Sequence, residues 1–125
     1  MYARVISVQG RPERLDDAIS FLRDEVIPQA RSMRGFRSGH WLVDRSSARI
    51  VGIAFWETMD DVEASAAAMA RLREHGAQLL GGEVVAADVF EVVVEAARDD
   101  ALAADDAAAE ANSVSPGRDE YAGRG

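Results

Sequence analysis

The chain has 125 residues, which is the size of one domain, with 48% hydrophobic residues and a formal net charge of −8. That acidity argues against nucleic-acid binding through phosphates. The absence of cysteine excludes disulfides, thiolate nucleophiles and cysteine-ligated metals, and all 14 basic residues are arginine, which excludes chemistry that needs a lysine amine. The N-terminus lacks the apolar stretch of a secretory signal, and no apolar run reaches the roughly 18 residues of a membrane span. We therefore expect a cytoplasmic protein that contacts neither membranes nor nucleic acid.

The first strand and the first helix are predicted by residues 2–8 and 12–33. Residues 2–8 are rich in β-forming side chains. Apolar residues in 12–33 recur at helical spacing, which predicts an amphipathic helix. Pro12 suits the first turn of that helix, whereas Pro28 lies inside it. We therefore expect a kink or a break just before Pro28.

A hairpin and a second helix follow. Residues 36–44 and 48–57 predict two strands that are joined by a short polar turn. Thr58 with Asp61 three residues later resembles a capping box, which predicts that a helix begins there. Gly76 is a candidate for the end of that helix.

Residues 83–94 predict the last strand, and the order β-α-β-β-α-β is the ferredoxin-like arrangement. We predict an α+β fold over residues 1–94, with two helices on one face of a four-stranded antiparallel sheet. Residues 95–125 form a separate acidic tail that is rich in Ala and Asp, with eight acidic residues and three arginines. We predict that this tail is partly helical or disordered.

The stretch RIVGIAFW, residues 49–56, is apolar on both faces of the predicted strand. A strand with one face in water alternates apolar and polar residues, and this strand does not. Residues 83–94 share the pattern. Because two helices cover only one face of the sheet, we predict a homodimer in which the uncovered faces pack sheet to sheet.

Three features carry a resemblance to a known family: the order of the elements, Gly35-Phe36 at the start of the second strand, and the residues FWET, 55–58, between the third strand and the second helix. With them the chain resembles the dimeric α+β barrel superfamily, and within it the antibiotic biosynthesis monooxygenase (ABM)-like domain, over about residues 2–94. The resemblance implies an apolar pocket between helices and sheet. It also implies a cofactor-independent monooxygenase, or an isomerase, that acts on a small aromatic or quinol-like substrate. A non-catalytic dimeric module that binds a small ligand or a partner is the alternative.

The haem-degrading branch of the same family is a minority alternative. Its members carry a His 19 positions after the Trp of the third strand, and His75 stands 19 positions after Trp56. They also carry a second Trp nine positions after the first, where this chain has Ser65, and an Asn at the end of the first strand. No Asn precedes Asn112, so haem binding depends on His75 alone.

The candidate catalytic residues are His40 and His75, because an imidazole titrates near neutral pH and can act as a general base. Each also has a structural interpretation: His40 as a hydrogen-bonded strand residue, and His75 as a cation at a helix C-terminus. The predicted pocket residues are Trp56, Tyr2, Ser38, Leu22, Val62 and Met69. The indole N–H of Trp56 is able to bond a substrate oxygen, although packing alone also explains a Trp at that position.

Two further groups of charged residues are candidates for a functional role, namely two arginines of the hairpin and several pairs of adjacent acidic residues. Arg37 and Arg49 fall at one end of the hairpin, where a guanidinium stabilises an enolate or pairs with Glu57 or Asp44. We prefer the pairing. The acidic pairs of the chain, such as the one at 60–61, consist of adjacent residues that point about 100° apart on a helix, so we predict no metal site.

Overall fold

The computed structural model describes residues 1–98, and within them the compact unit is Met1–Val93. Its four strands pair antiparallel in the order β2-β3-β1-β4. They are β1 (Tyr2–Gln9), β2 (Phe36–Asp44), β3 (Arg49–Trp56) and β4 (Glu83–Glu91). The predicted ferredoxin-like fold is confirmed. Of the predicted tail, residues 95–98 have no regular secondary structure and the rest lies outside the described residues.

The first helical region has four parts. A 3-10 turn at Pro12–Arg14 leads into α1 (Leu15–Phe21), a π-helical turn (Leu22–Val26) and α2 (Ile27–Arg31). The π turn stands where Pro28 predicts an interruption. Proline has no amide hydrogen and its ring clashes with the carbonyl four residues earlier, and a widened turn relieves that clash.

The start of α3 (Met59–Leu80) follows the predicted capping box. The Thr58 hydroxyl accepts a hydrogen bond from the Asp61 amide at 3.1 Å and donates one to the Asp61 carboxylate at 2.9 Å. The Arg34 Nε donates to the same carboxylate at 2.8 Å. The Thr58 hydroxyl, and then Arg34, lower the pKa of Asp61 below its ordinary value because both stabilise the ionised form.

The predicted end of α3 at Gly76 is wrong. The helix continues to Leu80 and ends at Gly81, whose φ of 75° is the left-handed conformation that favours glycine. Gly76 faces the ring of Phe21, and a Cβ built there would lie 3.5 Å from that ring. Packing against α1 therefore outweighs the low helix propensity of this glycine. No helix within residues 1–98 is long and apolar enough to cross a membrane.

The two faces of the sheet differ in cover. On β3, every second residue from Ile50 to Trp56 is buried under the helices, whereas Val51, Ile53 and Phe55 are half-buried on the open face. Both faces of β3 are apolar, as predicted. On β4 a bulge brings Val84 opposite Val8 and into the helix-covered core.

Large apolar side chains remain exposed on the open face. Leu42 of β2 is 51% exposed and Phe90 of β4 is 54% exposed. Their cross-strand neighbours on this face are Val51 and Ala3. The helices within residues 1–98 do not cover this surface.

A candidate anion-binding cavity between the helices and the sheet

A cavity of about 50 Å³ lies between the helices and the sheet. Its floor includes Gly52 and Ala54 of β3, and its roof comes from the π turn and from α3. Small residues in the middle of β3 leave space that larger side chains would fill. The wall is mainly apolar, but it includes two arginines, Arg4 of β1 and Arg73 of α3.

Arg4 is held firmly although it lies in the core. It is 7% exposed. Its Nη2 donates to the Val62 carbonyl at 2.9 Å and its Nη1 to the Ser65 hydroxyl at 3.3 Å. The guanidinium carbon lies 5.6 Å from the centre of the Trp56 ring, which is within cation–π range. Burial, and then the nearby charge of Arg73, lower the pKa of Arg4 from its ordinary value.

Arg73 is the second cation of the cavity. It is half-buried, and burial lowers its pKa from the ordinary value, which neighbouring Glu74 partly offsets. Among residues 1–98, neither Arg4 nor Arg73 forms an ion pair with a carboxylate. Removing charges from water without a counter-charge costs free energy. The cavity therefore favours an anion.

Trp56 lies beneath Arg4 and is fully buried. Its ring packs edge-on against Phe36, with ring centres 5.5 Å apart. Within the described residues 1–98 the indole Nε1–H has no hydrogen-bond partner, although buried donors are normally paired. The predicted packing role is observed, and the same residue leaves a buried donor unused.

The other predicted pocket residues lie in different places. Leu22 and Met69 line the cavity. Val62 contributes through its carbonyl, which holds Arg4, and Tyr2 packs against the cluster that surrounds Trp56. Ser38 is exposed, and it pairs across the strands with Phe55 on the open face, away from the cavity.

Neither candidate catalytic histidine lines the cavity. His40 is exposed and pairs with Ile53 on the open face. His75 is exposed on α3, where its ring lies 4.7 Å from that of Phe21, beside a shallow hollow on the outside of the helix. A cavity of about 50 Å³ without His75 in its wall does not fit a haem. At the second position that we compared with the haem-degrading branch, the Ser65 hydroxyl accepts a hydrogen bond from Arg4.

The hairpin arginines also lie away from the cavity. Arg37 bonds the Glu57 carboxylate at 2.9 Å, which is the pairing we preferred, and the Arg49 Nε donates to the Ser7 hydroxyl at 2.8 Å. In the part of the chain that the structure describes, no three His, Asp or Glu side chains lie together as metal ligands would.

The sequence-based prediction missed the two cavity arginines, although the sequence contains a signal for each. Arg4 stands between Ala3 and Val5 in a strand whose neighbours are apolar, and an arginine in such a place needs a buried partner. Arg73 follows Met69 by four residues, so it continues the buried stripe of α3.

The chain matches no protein-family model. Over 82 residues it is 34% identical to one uncharacterised protein of Mycobacterium tuberculosis H37Rv and 32% identical to another. These segments cover 66% of this chain but 37% and 35% of the two relatives, so the chain spans about a third of the length of the curated relatives it matches.

Solved structures resemble the chain more fully. A monooxygenase of Streptomyces coelicolor in complex with nanaomycin D superposes with a TM-score of 0.64 at 19% identity, over 78% of this chain and 92% of that one. An antibiotic biosynthesis monooxygenase superposes with a TM-score of 0.57 at 17% identity, and the match covers 75% of this chain and 100% of that one. The chain has an ABM-like fold. A third structural neighbour is SnoaB, a cofactor-independent oxygenase of Streptomyces nogalater. It superposes with a TM-score of 0.53 at 15% identity, and the match covers 75% of this chain and 92% of that one. At these identities the likeness shows the fold of this ABM-like domain, and the site must be argued from its own residues.

Proposed function

We propose that this ABM-like domain binds a planar aromatic molecule with one negative charge between its helices and sheet, and oxygenates it without a cofactor. The observation that carries the proposal is the pair Arg4 and Arg73, two cations at an apolar cavity that form no ion pair within residues 1–98. The apolar walls suit the aromatic body of the ligand and the guanidinium groups suit its anionic oxygen.

The arginines supply the electrostatic part of the chemistry. A phenol or enol that binds beside two cations ionises more readily, because the anion is the stabilised form. The carbanion carbon of that anion bonds O₂, the peroxide takes a proton, and loss of water leaves a carbonyl. The reaction converts a CH₂ group and O₂ into a C=O group and water, so the substrate itself supplies all the electrons.

The cavity wall contains neither a carboxylate nor an imidazole among the described residues. In this scheme the substrate loses its proton to water, and the arginines lower its pKa rather than act as a base. The same observation favours the second candidate function, a module that binds the anion and performs no reaction.

The proposed assembly is a homodimer in which the open faces of two sheets pack together. The exposed side chains of Leu42 and Phe90 support it, because a sheet face with large apolar residues in water favours burial against an apolar surface. A second copy of this chain offers the same surface under two-fold symmetry.

Binding is tested by isothermal titration with 2-naphthoate, a planar aromatic carboxylate. Arg4→Gln and Arg73→Gln should each weaken its binding by about tenfold, since each removes one charge-assisted contact. Arg71→Gln is the matched control, because Arg71 lies on the same helix but is exposed and outside the cavity wall. Unchanged affinity in both cavity variants would overturn the proposal.

Catalysis is tested separately with anthrone in an oxygen electrode, in metal-chelated buffer. The proposal expects one O₂ consumed for each anthraquinone formed, at a rate that falls in Arg73→Gln and persists in Arg71→Gln. Tight binding of 2-naphthoate together with no oxygen uptake above the buffer rate would assign the domain to the binding module instead.

A further inference from the structure

Three hollows meet at two side chains. The first is the arginine cavity, and the second is a neighbouring cavity of about 40 Å³ that extends toward the end of α3. The third is an open groove of about 460 Å³ outside the edge strand β2. Trp41 and Leu22 line all three. They therefore form the wall between the inner cavities and the outside of the molecule.

Trp41 lies in a slot that two glycines create. A Cβ built on Gly39 would come 2.7 Å from the Cη2 atom of the indole, and one built on Gly52 would come 2.8 Å from Nε1. The ring therefore lies flat on the backbone of β2 and β3, where any other residue at either position would displace it. Because Trp41 is only half-buried and β2 is an edge strand, the indole has solvent on one side.

Leu22 forms the other half of the wall. It is the first residue of the π turn and is half-buried. A π turn is a local widening of a helix, and such turns recur at functional sites. Leu22 and Trp41 come from different elements, and both lie in the wall that the inner cavities share with the groove.

We propose that Trp41 and Leu22 form a gate, and that Trp41 sets the length of ligand that the domain accepts. When the indole turns aside, the inner cavities and the groove become one elongated site. This inference rests on the proposed function, since it requires that the ligand binds between the helices and the sheet.

The size of the hollows supports the gate. Known ligand pockets measure roughly 300–1,000 Å³, far more than the arginine cavity, whereas the outer groove alone reaches that range. Arg73 lines both inner cavities, so the anionic end of a ligand keeps a cation beside it in either one. The aromatic body then passes Trp41 into the groove, whose wall includes the apolar residues Ile19 and Ile27 as well as Arg23 and His40.

The test is stopped-flow binding of three carboxylates of increasing length, namely benzoate, 2-naphthoate and 2-anthroate. A gate slows association most for the longest ligand, because only that ligand must extend past Trp41 into the groove. Trp41→Ala should therefore raise the association rate of 2-anthroate about tenfold and that of benzoate less than about twofold. Val85→Ala is the matched control, because Val85 lies on the other edge strand, β4, and lines none of the three hollows.

Leu22→Ala should give the same dependence on length, and it keeps the test valid if Trp41→Ala does not fold. A rise that is equal for all three carboxylates, or none for 2-anthroate, overturns the gate. If Arg73→Gln weakens binding while the gate variants keep the wild-type dependence on length, the gate alone fails. If neither arginine variant alters binding, the proposed function fails as well.

Discussion

The two faces of one sheet contrast in what covers them. Along β3, Trp56 is fully buried under the helices, whereas the adjacent Phe55 is half-buried on the open face. The helix-covered face encloses two cations in apolar surroundings, and the open face presents apolar side chains to solvent. Both faces carry apolar residues, so apolarity alone does not distinguish them. In our proposal the charges of Arg4 and Arg73 mark the site, and the exposed apolar surface forms the dimer interface.

The largest expected effect is a difference in the free energy of unfolding between substitutions on the two faces of the sheet. Trp56→Ala should lower the free energy of unfolding by about 3–5 kcal/mol, because it removes a fully buried indole and leaves a cavity. Phe55→Ala should cost roughly 1–2 kcal/mol at protein concentrations where the chain is monomeric, since its ring is already partly in water. Urea unfolding followed by circular dichroism measures both. Equal losses would contradict the difference in cover.

The second prediction concerns the open face. Phe90→Arg should raise the dissociation constant of the homodimer about a hundredfold, because it places a charge in the proposed apolar interface. Sedimentation equilibrium measures this, with Glu91→Arg as the control, since Glu91 is exposed and pairs with Tyr2 on the other face. A wild-type protein that sediments as a monomer at every concentration would contradict the proposed dimer.

The smallest effect concerns the cap of α3, which positions the elements around Arg4. Thr58→Ala should cost about 1 kcal/mol, since it removes the side-chain acceptor of the Asp61 amide. The measurement is again urea unfolding, near pH 7. Ser46→Ala is the control, because that hydroxyl bonds only Asp44 in the exposed turn of the hairpin.

The same cap predicts a dependence on pH. The pKa of Asp61 is lowered in the folded state, so its contribution to stability is present above the unfolded pKa and is lost as pH falls through the folded value. Asp61→Asn should therefore be less stable than the wild type near pH 7, and the difference should shrink toward about pH 3. A difference that stays constant with pH would show that the charge of Asp61 contributes nothing.

The fold was largely predictable from the sequence, because it depends on local patterns. The apolar run of β3 and the capping box at Thr58 specify their elements without reference to distant residues. The error at the end of α3 has a tertiary cause, because the helix continues through Gly76 where it packs on Phe21.

The candidate site was less predictable. His40 and His75 attract attention through the chemistry of the imidazole, but where they lie depends on which face of an element each occupies. Arg4 and Arg73 lie 69 positions apart in the chain and share a cavity only after β1 and α3 pack together. Trp41 needs Gly39 and Gly52, and the pairing of β2 with β3 brings these together. These contacts arise from the register of distant elements rather than from spacing in the sequence.

The central claim is that the helix-covered face, not the open face, receives the anion. Titration of 2-naphthoate into ¹⁵N-labelled protein, followed by ¹H–¹⁵N correlation spectra, tests it most directly. The account predicts that amide shifts concentrate at Gly52, Ala54 and Arg73 and disappear in Arg73→Gln. Shifts confined to Phe55, Phe90 and their neighbours on the open face would contradict it.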